Sequence, residues 1–261
     1  MGKERRRMVF REQHAYLRSI ELLRDRIPSF TAYPFNLPSL RELTSLPLHP
    51  KVTYIIGENG MGKSTLLEAA AIAWGFNPEG GSLHFTFSTR SSHSELHRYI
   101  RLVRGVRKPK DGFFFRAETY YNLATNIDEM DREQSSAPPI IRSYGGKSLH
   151  EQSHGESFFA AFLHRFGGNG LYILDEPEAA LSPFKQLSML ARIHALVNRN
   201  SQFIISTHSP ILMGYPDALM YNLTDKGIEQ ITLEETDHYI IMKQFLLNRE
   251  RMLKELFADV E

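Results

Sequence analysis

Residues 57 to 64 read Gly-Glu-Asn-Gly-Met-Gly-Lys-Ser, the pattern Gly-x-x-x-x-Gly-Lys-Ser of a phosphate-binding loop. Its glycines let the backbone turn tightly, so that N–H groups can point at a β-phosphate without a Cβ atom in the way. Lys63 supplies a positive charge for the β- and γ-oxygens, and the hydroxyl of Ser64 suits Mg²⁺. The predicted nucleotide-binding residues form one run: Gly57, Glu58, Asn59, Gly60, Met61, Gly62, Lys63, Ser64 and Thr65.

The loop lies between a predicted strand and a predicted helix. Residues 51–56 are mostly apolar and β-branched or aromatic, which favours a buried strand. Residues 65–73 are rich in helix formers, so the positive end of a helix would face the phosphates. A glycine-rich turn that binds nothing is the alternative. The sequence of strand, loop and helix favours the phosphate site.

Two adjacent carboxylates follow a second apolar run, residues 171–174. A buried parallel strand that ends in Asp175 and Glu176 delivers them to the edge where open α/β sheets bind ligands. We expect Asp175 to bind Mg²⁺, directly or through water, and Glu176 to orient or deprotonate an attacking water. An acidic loop after a core strand is the alternative, and the upstream phosphate loop favours the catalytic interpretation.

A third apolar run, residues 202–205, ends in a polar tip that contains His208. A histidine there can hydrogen-bond a γ-phosphate and sense its loss. A lone histidine is more often structural, but its place one strand after the paired acids favours a functional role.

Composition narrows the class of protein. A chain of 261 residues with 42% hydrophobic residues can bury a substantial core. It contains no cysteine, which excludes disulfides and cysteine-based metal sites and fits a reducing cytoplasm. No run is long enough to span a membrane, and the basic start of the chain leads into no apolar signal core. Because the formal net charge is only +1, any contact with nucleic acid would depend on local patches.

The three segments, in this order, resemble the Walker A, Walker B and switch-histidine motifs of the ATP-binding-cassette (ABC) superfamily of ATPases. The likeness is greater to its SMC and RecF-like members than to transporter subunits. Between them, Ser153, Gly155 and Glu156 stand where that family has its signature motif. The resemblance implies ATP as substrate, Mg²⁺ as cofactor, and a sandwich homodimer in which each signature caps the γ-phosphate bound by the opposite subunit. It also implies metal ligands Ser64 and Asp175.

The implied catalytic residues are Glu176, His208 and Lys63. The implied fold is α/β, with a mainly parallel central sheet flanked by helices, an N-terminal antiparallel β part and a helical lobe. We expect one domain over residues 1–261, with a mobile basic tail at 1–12 and the lobe at about 90–155. Residues 113–115 are predicted as an aromatic strand within the lobe. Residues 218–232 favour a late hairpin, and residues 239–257 a helix that packs on the body or, alternatively, binds a partner.

The sequence also departs from the family pattern. The glutamine that usually contacts Mg²⁺ and water has no counterpart between Ser64 and Gln134, so either Thr86, Ser88 or Arg90 replaces it or the contact is missing. Ser182 stands where the loop that crosses the dimer interface usually has aspartate. A transporter subunit is therefore the less favoured hypothesis, because its coupling groove is usually lined by that glutamine. An ATP-binding scaffold with little turnover is a third.

Arginines at three-residue spacing offer a candidate partner surface. Arg98, Arg101 and Arg104 predict a helix over residues 94–104 with a basic stripe. Such a stripe could bind DNA or RNA phosphates or an acidic effector protein. A solvated helix face is the alternative. Residues 65–152 are too few for a hinge and coiled-coil insertion and lack sustained heptads, which argues against a long coiled-coil arm. The leading hypothesis is an ATP-hydrolysing switch for an effector or nucleic acid.

Overall fold

The computed structural model describes residues 15–83, 93–117, 120–132, 139–144, 146 and 154–258. Ten strands are present in this part of the chain: β1 (Leu17–Leu22), β2 (Ser45–Pro47), β3 (Val52–Gly57), β4 (Gly81–Ser82), β5 (Ile100–Arg104), β6 (Asp111–Arg116), β7 (Gly170–Asp175), β8 (Gln202–Ser206), β9 (Leu219–Thr224) and β10 (Gly227–Gln230). The α-helices are α1 (Pro38–Arg41), α2 (Lys63–Trp74), α3 (Tyr120–Arg132), α4 (His154–His164), α5 (Pro183–Val197), α6 (Pro210–Met213), α7 (Asp237–Leu247) and α8 (Arg249–Ala258).

The strands that the structure describes form two sheets. The larger is seven-stranded, with the order β10-β9-β3-β8-β7-β6-β4. Its five inner strands run parallel, and an antiparallel strand closes each side. The smaller sheet is antiparallel, with the order β2-β1-β5. The fold is thus α/β with a mostly parallel central sheet and an antiparallel β part, as the sequence predicts.

Alternate residues of the parallel strands enter two separate cores. On β7, Tyr172 and Leu174 pack on one face, whereas Leu171 and Ile173 pack on the other. The first core lies among α3, α4 and α5, and the second lies between the central sheet and the smaller sheet. Strands covered on both faces are apolar at successive positions, which explains the continuous apolar runs that mark β3, β7 and β8 in the sequence.

Helix α2 lies inside the second core. Leu66, Leu67 and the alanines 69–71 are buried, because α2 packs against both the central sheet and β5. A helix enclosed in this way cannot turn a polar face to water. Its N-terminus is therefore held rigidly at the end of β3, where the phosphate loop begins.

Three sequence predictions are wrong in detail. Residues 94–104 form no continuous helix: a short 3₁₀ turn (Glu95–Arg98) leads into β5. The aromatic strand at 113–115 is part of β6, which pairs with β7 in the central sheet and does not lie within a helical lobe. Residues 239–257 form two helices, α7 and α8, and neither contains a buried residue.

The late hairpin is confirmed as β9 and β10. No helix in the described ranges has the length and apolar character to span a bilayer. The proposed mobile tail, residues 1–12, lies outside the described residues.

Candidate functional site

The phosphate loop connects β3 to α2 through glycines with positive φ. Gly57 has φ of 135°, and a Cβ atom there would lie 2.3 Å from the carbonyl oxygen of Leu223. Gly62 has φ of 93° and directly precedes α2. Side chains at these positions would clash or strain the backbone, so the loop conformation requires glycine.

Lys63 is buried beneath this loop, with 4% of its surface exposed. Its ammonium group donates to the carbonyl oxygens of Gly57, at 2.7 Å, and Glu58, at 3.0 Å. Burial lowers the pKa of Lys63, and the nearby carboxylates of Glu176 and Asp175 oppose that shift. The lysine charge is therefore fixed at the loop, as expected of a phosphate ligand.

Ser64 and Asp175, the predicted metal ligands, are in direct contact. The Ser64 hydroxyl donates to Asp175 Oδ1 at 3.1 Å, and Ser206 on β8 donates to the same oxygen at 2.5 Å. Burial raises the pKa of Asp175, while hydrogen bonds from Ser206 and Ser64 lower it. The effect of burial is the larger, so the charge of this carboxylate is stabilised only in part by its present neighbours.

These donors fit Mg²⁺, which prefers oxygen ligands and often takes only one or two from carboxylates. The described ranges contain no cluster of three or more His, Cys, Asp or Glu side chains suited to a metal. A Mg²⁺ ion at Ser64 and Asp175 would therefore take its remaining ligands from phosphates and water.

Arg116, the last residue of β6, provides positive charge beside Asp175. Its Nε lies 3.9 Å from Asp175 Oδ2, and its Nη1 donates to the buried carboxylate of Glu68 on α2. The positive charge of Arg116 also lowers the pKa of Asp175, but by less than the hydrogen bonds from the two serine hydroxyls do. The carboxylate of Asp175, the predicted metal ligand, thus lies between two hydroxyl groups and one cation.

Glu176 and His208 meet beyond this cluster. Glu176 has a left-handed backbone, with φ of 50°, and its N–H donates to the carbonyl oxygen of Ser206 at 3.1 Å. Its Oε1 lies 3.5 Å from His208 Nε2. A non-glycine residue at positive φ costs energy and often marks a functional site. Glu176 is the predicted water-activating acid and His208 the predicted phosphate-sensing histidine. Because both follow the ends of neighbouring parallel strands, the sequence predicts that they lie side by side.

Two buried polar atoms in this region have no hydrogen-bond partner among the described residues: His208 Nε2 and Glu178 Oε2. The other carboxylate oxygen of Glu178 accepts from the backbone N–H of His208 at 2.5 Å. Burial raises the pKa of Glu178. Leaving buried polar groups unpaired costs about 1–3 kcal/mol each, so such atoms point to an exogenous partner such as substrate oxygen or water.

A cavity of about 1150 Å³ opens in front of the phosphate loop. One side is formed by Gly57, Glu58 and Asn59, and the other by His208 and α7. The helix contributes His238, Ile241, Met242 and Phe245. The space is large enough for a nucleotide, since small-molecule sites typically measure about 300–1,000 Å³.

For several predicted site residues, the structure describes no position or no side chain. Ser153 lies outside the described residues, as do Thr86, Ser88 and Arg90. Gly155 and Glu156 fall within the first turn of α4, but their side chains are not described. The signature motif and the replacement for the missing glutamine stay predictions.

The basic stripe is not formed as predicted. Arg98 pairs with Glu95 at 3.2 Å, Arg101 Nε donates to Glu21 at 2.8 Å, and Arg104 stacks over Trp74, 4.4 Å from the ring centroid. Because these residues span a 3₁₀ turn and a strand, their three-residue spacing does not align them on a helix.

Sequence reasoning missed four residues at the site: Glu68, Arg116, Glu178 and His238. Arg116 ends its strand beside Asp175, and its place directly after an aromatic run is a signal that could have found it. Glu178 follows the paired acids by two residues. Glu68 and His238 belong to no local pattern, and only the fold brings them in.

An aromatic ring also lies beside the loop. Tyr33 is 62% exposed, and its hydroxyl lies 3.2 Å from Thr65 Oγ1. An exposed ring next to a phosphate loop is suited to stacking on a nucleotide base.

Known proteins that are similar to this chain include an ATP-binding protein of a transporter. A family profile described as "AAA domain, putative AbiEii toxin, Type IV TA system" matches residues 148–214. The chain is 24% identical, over 240 residues, to a protein of Methanospirillum hungatei JF-1 called energy-coupling factor transporter ATP-binding protein EcfA2. The alignment covers 88% of this chain but 59% of that protein, so the chain spans somewhat more than half of its relative's length.

Solved structures that match the chain include an SMC head domain and a protein of an ABC transporter complex. The SMC head domain from Thermotoga maritima is 16% identical, with a TM-score of 0.41 and coverage of 83% of this chain and 98% of that chain. The cbiO1 protein from Clostridium perfringens, part of the ABC transporter complex cbiONQ, is 19% identical, with a TM-score of 0.44 and coverage of 82% and 91%.

Proposed function

We propose that the chain hydrolyses ATP and acts as a cytoplasmic switch through an ATP-dependent sandwich homodimer, driving an effector protein or acting on nucleic acid. One observation carries the proposal. The ends of β3, β7 and β8 bring Lys63, Ser64, Asp175, Glu176 and His208 to one edge of the sheet, through the contacts described above. Each is a residue type that phosphoryl transfer to water requires.

The residues divide the reaction between them. A water oxygen attacks the γ-phosphorus while the bond to the β–γ bridging oxygen breaks, which yields ADP and phosphate. Glu176 takes the proton of the water. Lys63 balances negative charge on the phosphate oxygens, and His208 donates from Nε2 to a γ-phosphate oxygen. That donation would give the buried His208 Nε2 the partner it lacks among the described residues.

Ser64 and Asp175 would hold Mg²⁺, which supplies charge neutralisation at the β- and γ-oxygens when bound. The raised pKa of Asp175, caused by burial, agrees with this role, because a divalent cation would stabilise its charged form.

In the dimer, Ser153, Gly155 and Glu156 of one copy would cap the γ-phosphate held by the other. Support comes from Gly155 and Glu156, which lie in the first turn of α4, because a helix N-terminus attracts phosphate oxygens. Ser182 caps α5 by accepting from Lys185 N–H, so a serine there has a local structural role as well.

The decisive experiment measures the mass of Glu176→Gln protein in solution with and without ATP·Mg²⁺, alongside hydrolysis by the wild type. We expect Glu176→Gln to lower kcat by about 10²–10⁴-fold. It should also convert a monomer into an ATP-dependent dimer, because ATP stays uncleaved. Glu250→Gln, at an exposed glutamate of α8, is the matched control and should behave as wild type.

Adding Ser153→Arg to Glu176→Gln should abolish the dimer while ATP still binds, since only the opposite site is blocked. If the Glu176→Gln protein binds ATP but stays monomeric, the sandwich homodimer is wrong. If the wild type binds ATP·Mg²⁺ but hydrolyses it no faster than Glu176→Gln, the hydrolase assignment is wrong.

A transporter ATP-binding subunit is the second candidate. The observation that favours it is the likeness to EcfA2, whose name describes that role. Purification from detergent-solubilised native membranes distinguishes the two. A stable 1:1 or 2:2 complex with an integral membrane protein, retained at high salt, would favour the transporter over the switch.

Binding of nucleic acid is tested with Arg98→Glu, Arg101→Glu and Arg104→Glu combined. If the switch acts on DNA or RNA through these residues, affinity should fall at every salt concentration and the salt dependence should become shallower. Arg101→Gln alone is the control for loss of the Glu21 ion pair.

A further inference from the structure

A second histidine lies against His208. His238 is the second residue of α7, thirty positions further along the chain, and its Nε2 lies 3.0 Å from His208 Nδ1. The two ring centroids are 5.2 Å apart, with an interplanar angle of 52°. Both rings line the cavity in front of the phosphate loop. The contact is a hydrogen bond between imidazoles, and one nitrogen must carry the proton.

The surroundings of His208 decide which nitrogen that is. Its Nε2 faces Glu176 Oε1 at 3.5 Å. A neutral imidazole carries one N–H, so an N–H at Nε2 leaves Nδ1 as an acceptor. His238 Nε2–H would then be the donor, giving a chain from His238 through His208 to Glu176. The opposite tautomer would leave two unprotonated acceptors, His208 Nε2 and Glu176 Oε1, facing each other.

Both rings favour the neutral form that this chain requires. Burial lowers the pKa of His208 and of His238, and the charge of Lys63 lowers both further. Glu176 raises the pKa of His208, and Asp237 raises that of His238, but burial outweighs each. At neutral pH the pair therefore carries one N–H on each ring.

The position of His238 is set by a capped helix start. Thr236 is the N-cap of α7 and accepts from the N–H of Tyr239 at 3.2 Å. Thr236 is also buried, and its hydroxyl donates to the carbonyl oxygen of Leu233 at 2.8 Å. Just upstream, Thr232 and Glu235 form a capping box. His238 therefore approaches His208 from an ordered first helical turn.

We propose that His238 is a positioning residue for ATP hydrolysis: its Nε2–H donates to His208 Nδ1 and holds His208 in the tautomer whose Nε2–H faces the γ-phosphate and Glu176. The inference rests on the proposed function. His238 acts through His208 and touches neither the phosphate nor the water. For histidines that bind metals, removal of the group that fixes the tautomer typically costs about 10–100-fold in affinity or activity, and we expect an effect near the lower end of this range at His208.

The test compares three variants by steady-state ATP hydrolysis. His238→Ala should lower kcat about 10-fold or more while KM for ATP changes by less than about twofold. His238→Gln should recover most of kcat, because its side-chain amide N–H can also donate to His208 Nδ1. His164→Ala, at an exposed histidine that ends α4, is the matched control and should behave as wild type.

Nitrogen-15 NMR of the histidine rings reads the tautomer directly, with His208 assigned by the resonances lost in His208→Gln. In the wild type, His208 should show a protonated Nε2 and an unprotonated Nδ1. In His238→Ala the two tautomers should mix. Unchanged tautomer shifts in His238→Ala, or a kcat within twofold of the wild type, would overturn the positioning role.

The two proposals fail in different ways. If the wild type does not hydrolyse ATP, the proposed function fails, and the NMR comparison still decides whether His238 sets the tautomer of His208. If the wild type hydrolyses ATP and His208→Gln is slow but His238→Ala is not, only the role of His238 fails. A rise in KM without loss of kcat would indicate a structural effect on nucleotide binding and would also contradict the proposal.

Discussion

Two aspartates on neighbouring parallel strands differ in how completely their surroundings compensate their negative charge. Asp111 begins β6 and Asp175 ends β7, so the two residues lie at opposite ends of the parallel strands. Asp111 accepts from Arg165 at 2.9 Å, from the N–H of Gly167 at 3.0 Å and from the hydroxyl of Tyr172 at 2.7 Å. Both of its oxygens are used, and its charge is matched by an arginine.

The pKa values of the two aspartates are shifted in opposite directions. Burial acts to raise the pKa of Asp111, but the hydrogen bonds from Gly167 and Tyr172 and the charge of Arg165 outweigh it, and the pKa is lowered. For Asp175 burial prevails, and the pKa is raised. A carboxylate whose charge is fully compensated stabilises the fold. One that is buried with incomplete compensation marks a site where a ligand must complete it.

The two ends of β8 repeat the contrast. Gln202, at its start, is fully buried and makes hydrogen bonds to Tyr16 N, Leu17 N, Leu17 O and His49 O. His208, two residues past its end, keeps a buried Nε2 with no hydrogen-bond partner in the described part of the chain. The polar side chain at the start of this strand is fully hydrogen-bonded, whereas the predicted site residue beyond its end keeps an unpartnered atom.

The largest expected effect is on activity, at Asp175. Asp175→Asn should reduce Mg²⁺-dependent hydrolysis on the order of 100-fold or more, since the charged metal ligand is lost. It should not lower the melting temperature of the nucleotide-free protein, because a buried amide is less costly than a carboxylate held at a raised pKa. Calorimetry and a phosphate-release assay check both parts. A marked loss of stability would show that the charge of Asp175 stabilises the fold, as that of Asp111 does, and would contradict the contrast between them.

The next effect is on stability, at Gln202. Gln202→Leu should destabilise the protein by about 3 kcal/mol, because two backbone N–H groups and two carbonyls lose buried partners. Urea unfolding measures this free energy. The kcat of the folded fraction should match that of the wild type; a parallel loss of kcat would show that this edge also serves the site.

A smaller loss is expected at Asp111. Asp111→Asn removes the charge that Arg165 faces and weakens the Tyr172 and Gly167 hydrogen bonds, which should cost about 2 kcal/mol. Tyr172→Phe removes two hydrogen bonds, the one donated to Asp111 and the one accepted from the N–H of Gly168, and should cost about 1–2 kcal/mol. Both variants should keep wild-type kcat. If Asp111→Asn were neutral for stability, its compensation would be less complete than the distances indicate.

The smallest effect is a pH dependence of stability from the histidine pair. The pKa of His208 and of His238 is lowered on folding from an ordinary value of 6.5, so the unfolded chain binds more protons below that pH. This contribution is fully present above pH 6.5 and declines as the pH falls toward the lowered folded values. Denaturation at several pH values should show this slope, reduced in the double variant His208→Gln with His238→Gln. An equal slope in both proteins would contradict it.

Local pattern was sufficient for residues whose role follows from one segment. The phosphate loop requires glycines at particular φ values, and its strand and helix are visible as an apolar run and a run of helix formers. Asp175, Glu176 and His208 were predicted because each lies at or just beyond the end of an apolar run, and parallel strands bring such ends together.

The three-residue spacing of the arginines led to a wrong prediction, because this spacing occurs in strands as well as in helices. Arg98, Arg101 and Arg104 recur every three residues, but Ile100, Leu102 and Val103 between them favour a strand, and pairing with β1 decides it. Likewise, nothing local distinguishes an aromatic strand in a lobe from one in the central sheet. Partner strands far along the chain make that decision, so β6 could be placed only by its register with β7.

By itself, the sequence determined the class of fold, the phosphate loop and the three strand ends that carry the predicted chemistry, because each depends on residues adjacent in the chain. Only the tertiary structure decided that Arg116 contacts both Glu68 and Asp175 and that His238 meets His208. The contacts of Arg116 with Glu68 and of His238 with His208 join residues 48 and 30 positions apart, and no local preference records them. Both contacts depend on the way in which separate helices are placed relative to the strand ends.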